Sequence, residues 1–142
     1  IVMDMGAYRD LHRHRRCQQF RQEYTAALDP QANLGYETPA LLVDAGLADR
    51  YHAAMEAALA AARQLPAPAC EYLLPFGCRA RFLFRMDFAE AEYIAKLRSG
   101  VKGHFSYRKI AWLMREKMRT MEPVLGAWMD ATPPEIEDPL TR

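Results

Sequence analysis

The stretch Arg79-Ala80-Arg81-Phe82-Leu83-Phe84-Arg85-Met86-Asp87 decides the fold class. Ala80, Phe82, Phe84 and Met86 fall on one side of a period-two pattern. Arg79, Arg81, Leu83, Arg85 and Asp87 fall on the other, as in a β-strand with one face buried. Phe88 to Arg98, directly behind it, reads as a helix. The cationic face of the strand has two readings of equal weight: it meets water, or it floors a site for an anionic ligand.

Helices dominate on both sides of this strand. Thr38-Pro39 reads as an N-cap and first-turn pair opening a short helix that stops at Gly46. A longer alanine-rich helix runs to about Gln64, with Leu47, Tyr51, Ala54, Met55, Ala58, Ala62 and Leu65 at helical spacing. Pro66 and Pro68 end it and start a brief helix through Tyr72-Leu73-Leu74. After the turn Ser99-Gly100-Val101-Lys102-Gly103 comes the strongest helix, His104 to Arg119. Tyr107, Ile110, Ala111, Met114, Met118 and Met121 form its apolar stripe, read as core. Arg108, Arg115, Glu116 and Arg119 fall on its other side. Pro123 opens a last short helix whose Leu125 and Trp128 continue the apolar face. The expected architecture is α+β: a small mixed or antiparallel sheet packed against a helical bundle, one domain over residues 1–130, and a flexible tail over 131–142.

The amino-terminal segment carries the candidate chemistry. Ile1 to Met5 reads as a strand, Gly6 as a turn, and Ala7 to about Arg15 as a helix. Within it lies Arg9-Asp10-Leu11-His12-Arg13-His14-Arg15-Arg16. On a helix Arg9, Arg13 and Arg16 share a face, and their repulsion is relieved by a bound phosphate or a carboxylate. The alternative is a solvated basic face braced from Asp10 to His14. Cys17 stands beside Arg15 and Arg16, which favours a thiolate, against the blander reading of a small buried hydrophobe. His12 reads as a surface or interface residue, His52 as solvent-facing, and Trp112 and Trp128 as packing or subunit-interface aromatics.

Composition narrows the classes. In 142 residues, 51% are hydrophobic and the formal net charge is +1, which suits a folded domain and argues against a nucleic-acid or anionic-membrane partner. Three cysteines without C-x-x-C spacing argue against a disulfide framework or a structural zinc site, and suit a reducing, cytoplasmic setting. No apolar run is long enough to cross a bilayer, and no metal site is expected.

The same residues resemble the flavin-dependent thymidylate synthase family. Arg13-His14-Arg15 matches the start of that family's R-H-R-x-x-S motif, and Leu97-Arg98 its leucine-arginine pair. Glu71-Tyr72-Leu73-Leu74-Pro75 and then Ala80 to Asp87 resemble its helix, Leu-Pro break and aromatic strand. The order of elements agrees from Ile1 to about Trp128. The chain is most similar to the second of two such domains in long bacterial members. The runs from Gly6 to Arg15 and Leu97-Arg98, Gly103-His104, Tyr107-Arg108 carry that likeness.

The resemblance implies a homo-oligomer, by family a tetramer, or a second domain of a longer chain. It also implies binding of a pyrimidine nucleotide and methylation of dUMP to dTMP with FAD, NADPH and methylenetetrahydrofolate. It assigns Arg13, His14, Arg15 and His104 to FAD. Arg98, Arg81 and Gln18 go to the nucleotide, with Arg98 also stabilising charge on the pyrimidine ring. The sequence departs from the motif at Gln18, Phe20, Arg21, Glu23, Thr25 and Glu71, and Lys102 holds the family's usual histidine register. The family's N-terminal third, which supplies part of the flavin pocket, has no counterpart here. The alternative is therefore a non-catalytic domain of the same fold, serving assembly or nucleotide sensing.

Overall fold

A computed structural model of the chain describes residues 1–137. Among them are three strands, β1 (Val2–Asp4), β2 (Gln18–Arg21) and β3 (Arg79–Arg85). They form one sheet in the order β1-β3-β2. The helices are α1 (Met5–Leu11), α2 (Ala40–Asp44), α3 (Ala48–Ala62), α4 (Phe88–Arg98), α5 (Phe105–Met121) and α6 (Pro123–Gly126), with two 3-10 turns, Tyr24–Leu28 and Ala69–Leu73. The class is α+β, as the sequence indicates.

The chain divides into two compact units, and the boundary falls inside β2 and β3. The first comprises Ile1–Met5 and Arg21–Phe82. There β1 pairs antiparallel with β3, Val2 opposite Arg81 and Asp4 opposite Arg79. Met5, Ala27, Met55, Leu59, Ala62, Cys70, Leu74 and Cys78 make one apolar core, to which α3 contributes a face at helical spacing. Gly46 at φ 68° ends α2, a left-handed conformation that glycine adopts without penalty. Thr38 is not the cap of α2. Pro39 is the residue at its start, and the Thr38 hydroxyl instead meets His52 Nε2 at 3.0 Å. His52 accordingly packs half-buried near Tyr36 and Tyr51 rather than facing solvent.

The second unit comprises Gly6–Phe20 and, of the described residues, 83–137. Ala7, Tyr8, Leu11, Ile94, Ala95, Ala111 and Met129 are buried in it. α1 stops at Leu11, four residues short of the expected end. Arg13 and Arg16 therefore lie outside any helix, and the Arg9-Arg13-Arg16 stripe does not form. Asp87 caps α4 by accepting from the Glu90 amide at 2.9 Å, which fixes where strand becomes helix.

α5 packs against α4 and α6, but its methionine stripe is not core throughout. Ala111 is buried, Tyr107, Ile110, Met114 and Met118 are half-buried, and Met121 is 65% exposed. At ~1.5 Å per residue α5 is about 9 Å longer than α4, and α6 packs on its last turns, with Gly126 against Met118 and Arg119. Trp128, at 78% exposure, packs on little within this unit.

The opposite surprise is Arg108, expected on the polar side and in fact buried. Its guanidinium donates to the carbonyls of Ser99 (3.1 Å), Pro133 (3.3 Å) and Ile136 (2.7 Å). The Ser99 hydroxyl accepts from the Thr132 amide at 2.7 Å. Of the tail expected over 131–142, residues 132, 133 and 136 are thus bonded to this unit, while 138–142 lie outside the described residues. Gly103 lets this turn close: a Cβ there would stand 2.6 Å from the Tyr107 ring and 2.9 Å from Arg108 Cγ.

Two outcomes follow. Leu59→Ala, at a position 2% exposed, should destabilise the chain by roughly 2–5 kcal/mol in urea unfolding. Arg108→Leu should raise amide hydrogen exchange across residues 132–136, because the two contacts to the carbonyls of Pro133 and Ile136 disappear together.

Candidate functional site

The site lies wholly within the second unit. In the loop from His12 to Cys17, which leaves α1, His14 alone is buried, flanked by exposed His12 and Arg13 on one side and exposed Arg15 and Arg16 on the other. His14 is 6% exposed, while Arg13 and Arg15 are exposed and neither is paired with a carboxylate among the described residues. The triplet is therefore two outward cations about an inward ring.

Helix α4 receives that ring. Glu90, Ile94 and Arg98 recur every four residues and so share one face. His14 Nδ1 lies 3.2 Å from Glu90 Oε1, and Arg98 Nε lies 2.8 Å from His14 Nε2. Arginine only donates, so Nε2 must accept, and Nδ1 must carry the proton that it gives to Glu90. The ring is neutral, with both nitrogens used. Burial and then the Arg98 charge hold its pKa below the usual value, outweighing the opposite pull of Glu90. Tyr93 meets the ring edge-on at 5.7 Å.

Arg98 is drawn toward the interior by this bond, its side chain 18% exposed. Asp10 Oδ1 stands 3.8 Å from Nη1, and the Tyr107 ring centroid is 5.8 Å from the guanidinium carbon. The brace expected from Asp10 to His14 runs instead from Asp10 to Arg98.

Two shallow clefts open beside the loop. One, of ≈ 540 Å³, is lined by Arg15, Arg16, Gln18 and Arg85 together with Asp87, three guanidiniums to one carboxylate. Arg16 and Asp87 pair there at 2.7 Å, a solvent-exposed contact of small worth. The other, of ≈ 340 Å³, is bordered by His12, Arg13, Arg15 and Gln19. Arg85 thus turns one end of the cationic strand face toward a cleft. Arg79 is paired with Glu37 in the first unit.

Of the two readings of Cys17, the structure favours the packed, protonated thiol over the thiolate. Its thiol donates to the His14 carbonyl at 2.9 Å, and burial raises its pKa. It is a protonated packing and hydrogen-bonding group. His104 caps α5, its Nδ1 facing the Ser106 amide and hydroxyl. Gln18 is exposed on β2 at the larger cleft. Arg81 is exposed in the first unit, its amide bonded to the Gln22 side chain. Glu90 escaped the sequence reading. Its signal was a carboxylate four residues before buried Ile94, on the inner face of an otherwise ordinary helix. Among the described residues no cluster of three or more His, Cys, Asp or Glu is arranged to hold a metal, and no helix is long and apolar enough to cross a membrane.

A strand-to-helix unit that joins an Arg-His-Arg loop to an arginine at a helix end places the chain in the α+β class. Within that class the chain belongs to the thymidylate synthase complementing protein family, which its residues 1–124 match. It is 34% identical over 132 residues to a UPF0159 protein of Chlamydia muridarum, covering 91% of this chain and 24% of that protein. A UPF0159 protein of Chlamydia pneumoniae is 35% identical over 124 residues, 84% of this chain and 22% of the relative. One from Thermoplasma acidophilum is 30% identical over 131 residues, 89% and 25%. The chain therefore spans about a quarter of the length of the curated relatives it matches.

The pH dependence has a definite sign. A histidine whose folded pKa lies below its unfolded value near 6.5 binds protons better when unfolded. Its contribution to stability is complete above 6.5 and falls as pH drops from there toward the folded pKa. Urea midpoints measured from pH 7.5 down to 5 should decline, and His14→Gln should flatten that part of the profile.

Proposed function

We propose that this chain belongs to a flavin-dependent thymidylate synthase-like protein that methylates a uridine nucleotide, dUMP to dTMP, with FAD, NADPH and methylenetetrahydrofolate. The observation that carries this reading is the bond from Arg98 to His14, 84 residues apart in sequence, which brings the leucine-arginine pair to the Arg-His-Arg triplet. Family membership supports the same chemistry.

The residues present fit the anionic parts of such ligands. Arg13 and Arg15, both exposed, suit the phosphates of a dinucleotide, since guanidinium forks match phosphate oxygens. FAD, when bound, supplies hydride transfer and relay of the one-carbon unit. Arg98 keeps its Nη atoms for the pyrimidine nucleotide, because His14 engages only its Nε. Gln18 offers an amide at the larger cleft. His14 does not fit a direct FAD contact, since both its ring nitrogens are taken. His104 keeps only its Nε2 edge for a ligand, and Arg81 receives no role. Assembly as a homo-oligomer, or as one domain of a longer cytoplasmic protein, belongs to the same proposal.

A second reading, a non-catalytic module of the same fold that senses nucleotide or serves assembly, is favoured by one observation. Asp10 stands 3.8 Å from the Arg98 guanidinium, where it competes with an incoming anion.

Isothermal titration with dUMP and absorbance spectra with FAD separate these readings. The enzymatic one expects a flavin spectrum and, with the full-length protein, tritium release from C5 of labelled dUMP. Nucleotide binding without flavin uptake or tritium release would leave the sensing module. Arg98→Ala should weaken dUMP by about 10- to 100-fold, the worth of a charge-assisted hydrogen bond at roughly 1.5–3 kcal/mol.

A further inference from the structure

We propose that Glu90 is the positioning residue of this site: it fixes the tautomer of His14, and the tautomer fixes the direction of the Arg98 guanidinium. A carboxylate at Oε1, 3.2 Å from Nδ1, can only accept, so the ring proton is held on Nδ1. Nε2 is then a lone pair, and it accepts from Arg98 Nε at 2.8 Å. A guanidinium is planar and rigid, so capture of Nε also fixes where the two Nη groups lie.

The geometry of α4 makes this arrangement self-consistent. Glu90 and Arg98 are eight residues apart on one helix face, about 12 Å along the axis, too far for direct contact by ordinary side-chain reach. The imidazole inserted between them converts a carboxylate at one end of the helix into an orienting force at the other. The groups recorded against the pair agree with this assignment, and the Tyr107 ring centroid lies 5.8 Å from the Arg98 guanidinium carbon. Glu90 and Arg98 flank the ring from α4, and Tyr93 meets its edge. Cys17 and Gln19 donate to the His14 carbonyl at 2.9 and 2.7 Å, pinning the backbone that carries the ring. Asp10 of α1 faces the far side of the guanidinium at 3.8 Å.

Glu90 itself is 7% exposed and acts through His14 without needing to touch a ligand. Removing the carboxylate frees Nδ1 to lose its proton. Free imidazole side chains in water prefer the proton on Nε2, and an Nε2–H would point at the Arg98 Nε–H. Two donors then oppose each other, and the guanidinium must turn away. The importance of that orientation for nucleotide binding rests on the proposed function. The tautomer and the Arg98 bond do not.

Nitrogen-15 NMR of the histidine rings and arginine side chains tests the inference without any ligand. At pH 7 the wild-type chain should show His14 neutral, protonated at Nδ1, with an Arg98 Nε–H that exchanges slowly with solvent. Glu90→Ala should move the proton to Nε2 and speed Arg98 Nε–H exchange at least tenfold. Glu90→Gln, whose amide oxygen still accepts from Nδ1–H, should restore both signals, and this rescue separates positioning from a loss of folding. Titration of dUMP into the three proteins should follow the same order, with Glu90→Ala the weakest. An Nε2-protonated or doubly protonated His14 in the wild type would overturn the proposal, as would an unchanged Arg98 signal in a folded Glu90→Ala. The expected NMR pattern in a wild type that binds no dUMP would uphold the positioning role and overturn the nucleotide reading instead.

Discussion

The hydrogen bond from the Arg98 guanidinium to His14 is the constraint on which the second unit depends. It joins the loop after α1 to the carboxyl end of α4. With the Glu90 contact it spans two turns of that helix through a single imidazole. A buried ring with an unsatisfied nitrogen would cost on the order of 1–3 kcal/mol, so the two partners are needed together. His14 turns inward from a loop of tight turns, while Arg13 and Arg15 on either side of it stay exposed. One buried polar contact thereby sets both the interior order of the loop and its exposed charge.

Charges of the same sign are treated in three ways in this unit. Arg13 and Arg15 are left to solvent beside the clefts. Arg98 is half withdrawn, with one nitrogen committed and an acidic neighbour at 3.8 Å. Arg108 is withdrawn completely and satisfied by carbonyl oxygens. A site for an anion needs cations that are oriented yet incompletely neutralised, and of these four arginines Arg98 is the one held in that intermediate condition. The odd buried carboxylate, Glu90, orients without cancelling charge at the cleft, because its partner is a neutral ring.

Much of the architecture was legible in the residues. Strand β3 alternates as Arg79 to Asp87 require, and α4 runs over Phe88–Arg98 as expected, since period-two and period-3.6 patterns meet there at an aspartate cap. What failed was governed by contacts between distant residues. α1 ends at Leu11, where the His14 amide turns back to the Leu11 carbonyl and the His14 ring enters the interior. The Tyr107-Arg108 pair looked amphipathic in the ordinary sense, and only the later carbonyls of Pro133 and Ile136 explain a buried guanidinium. Of the site, the triplet and Arg98 were visible as residue types, and their convergence could be expected only through family resemblance. Glu90 lay unnoticed because a single acid on a helix is commonplace. Its significance is conferred by a histidine 76 residues earlier.

Arg108 holds the chain beyond α6 through main-chain oxygens alone. Carbonyl groups are the same whichever side chain they carry. The attachment is therefore indifferent to the identity of Pro133 and Ile136, and the segment is free to change in composition over evolutionary time while keeping its place. A mutational map should accordingly show tolerance along that stretch and intolerance at the one basic residue beneath it.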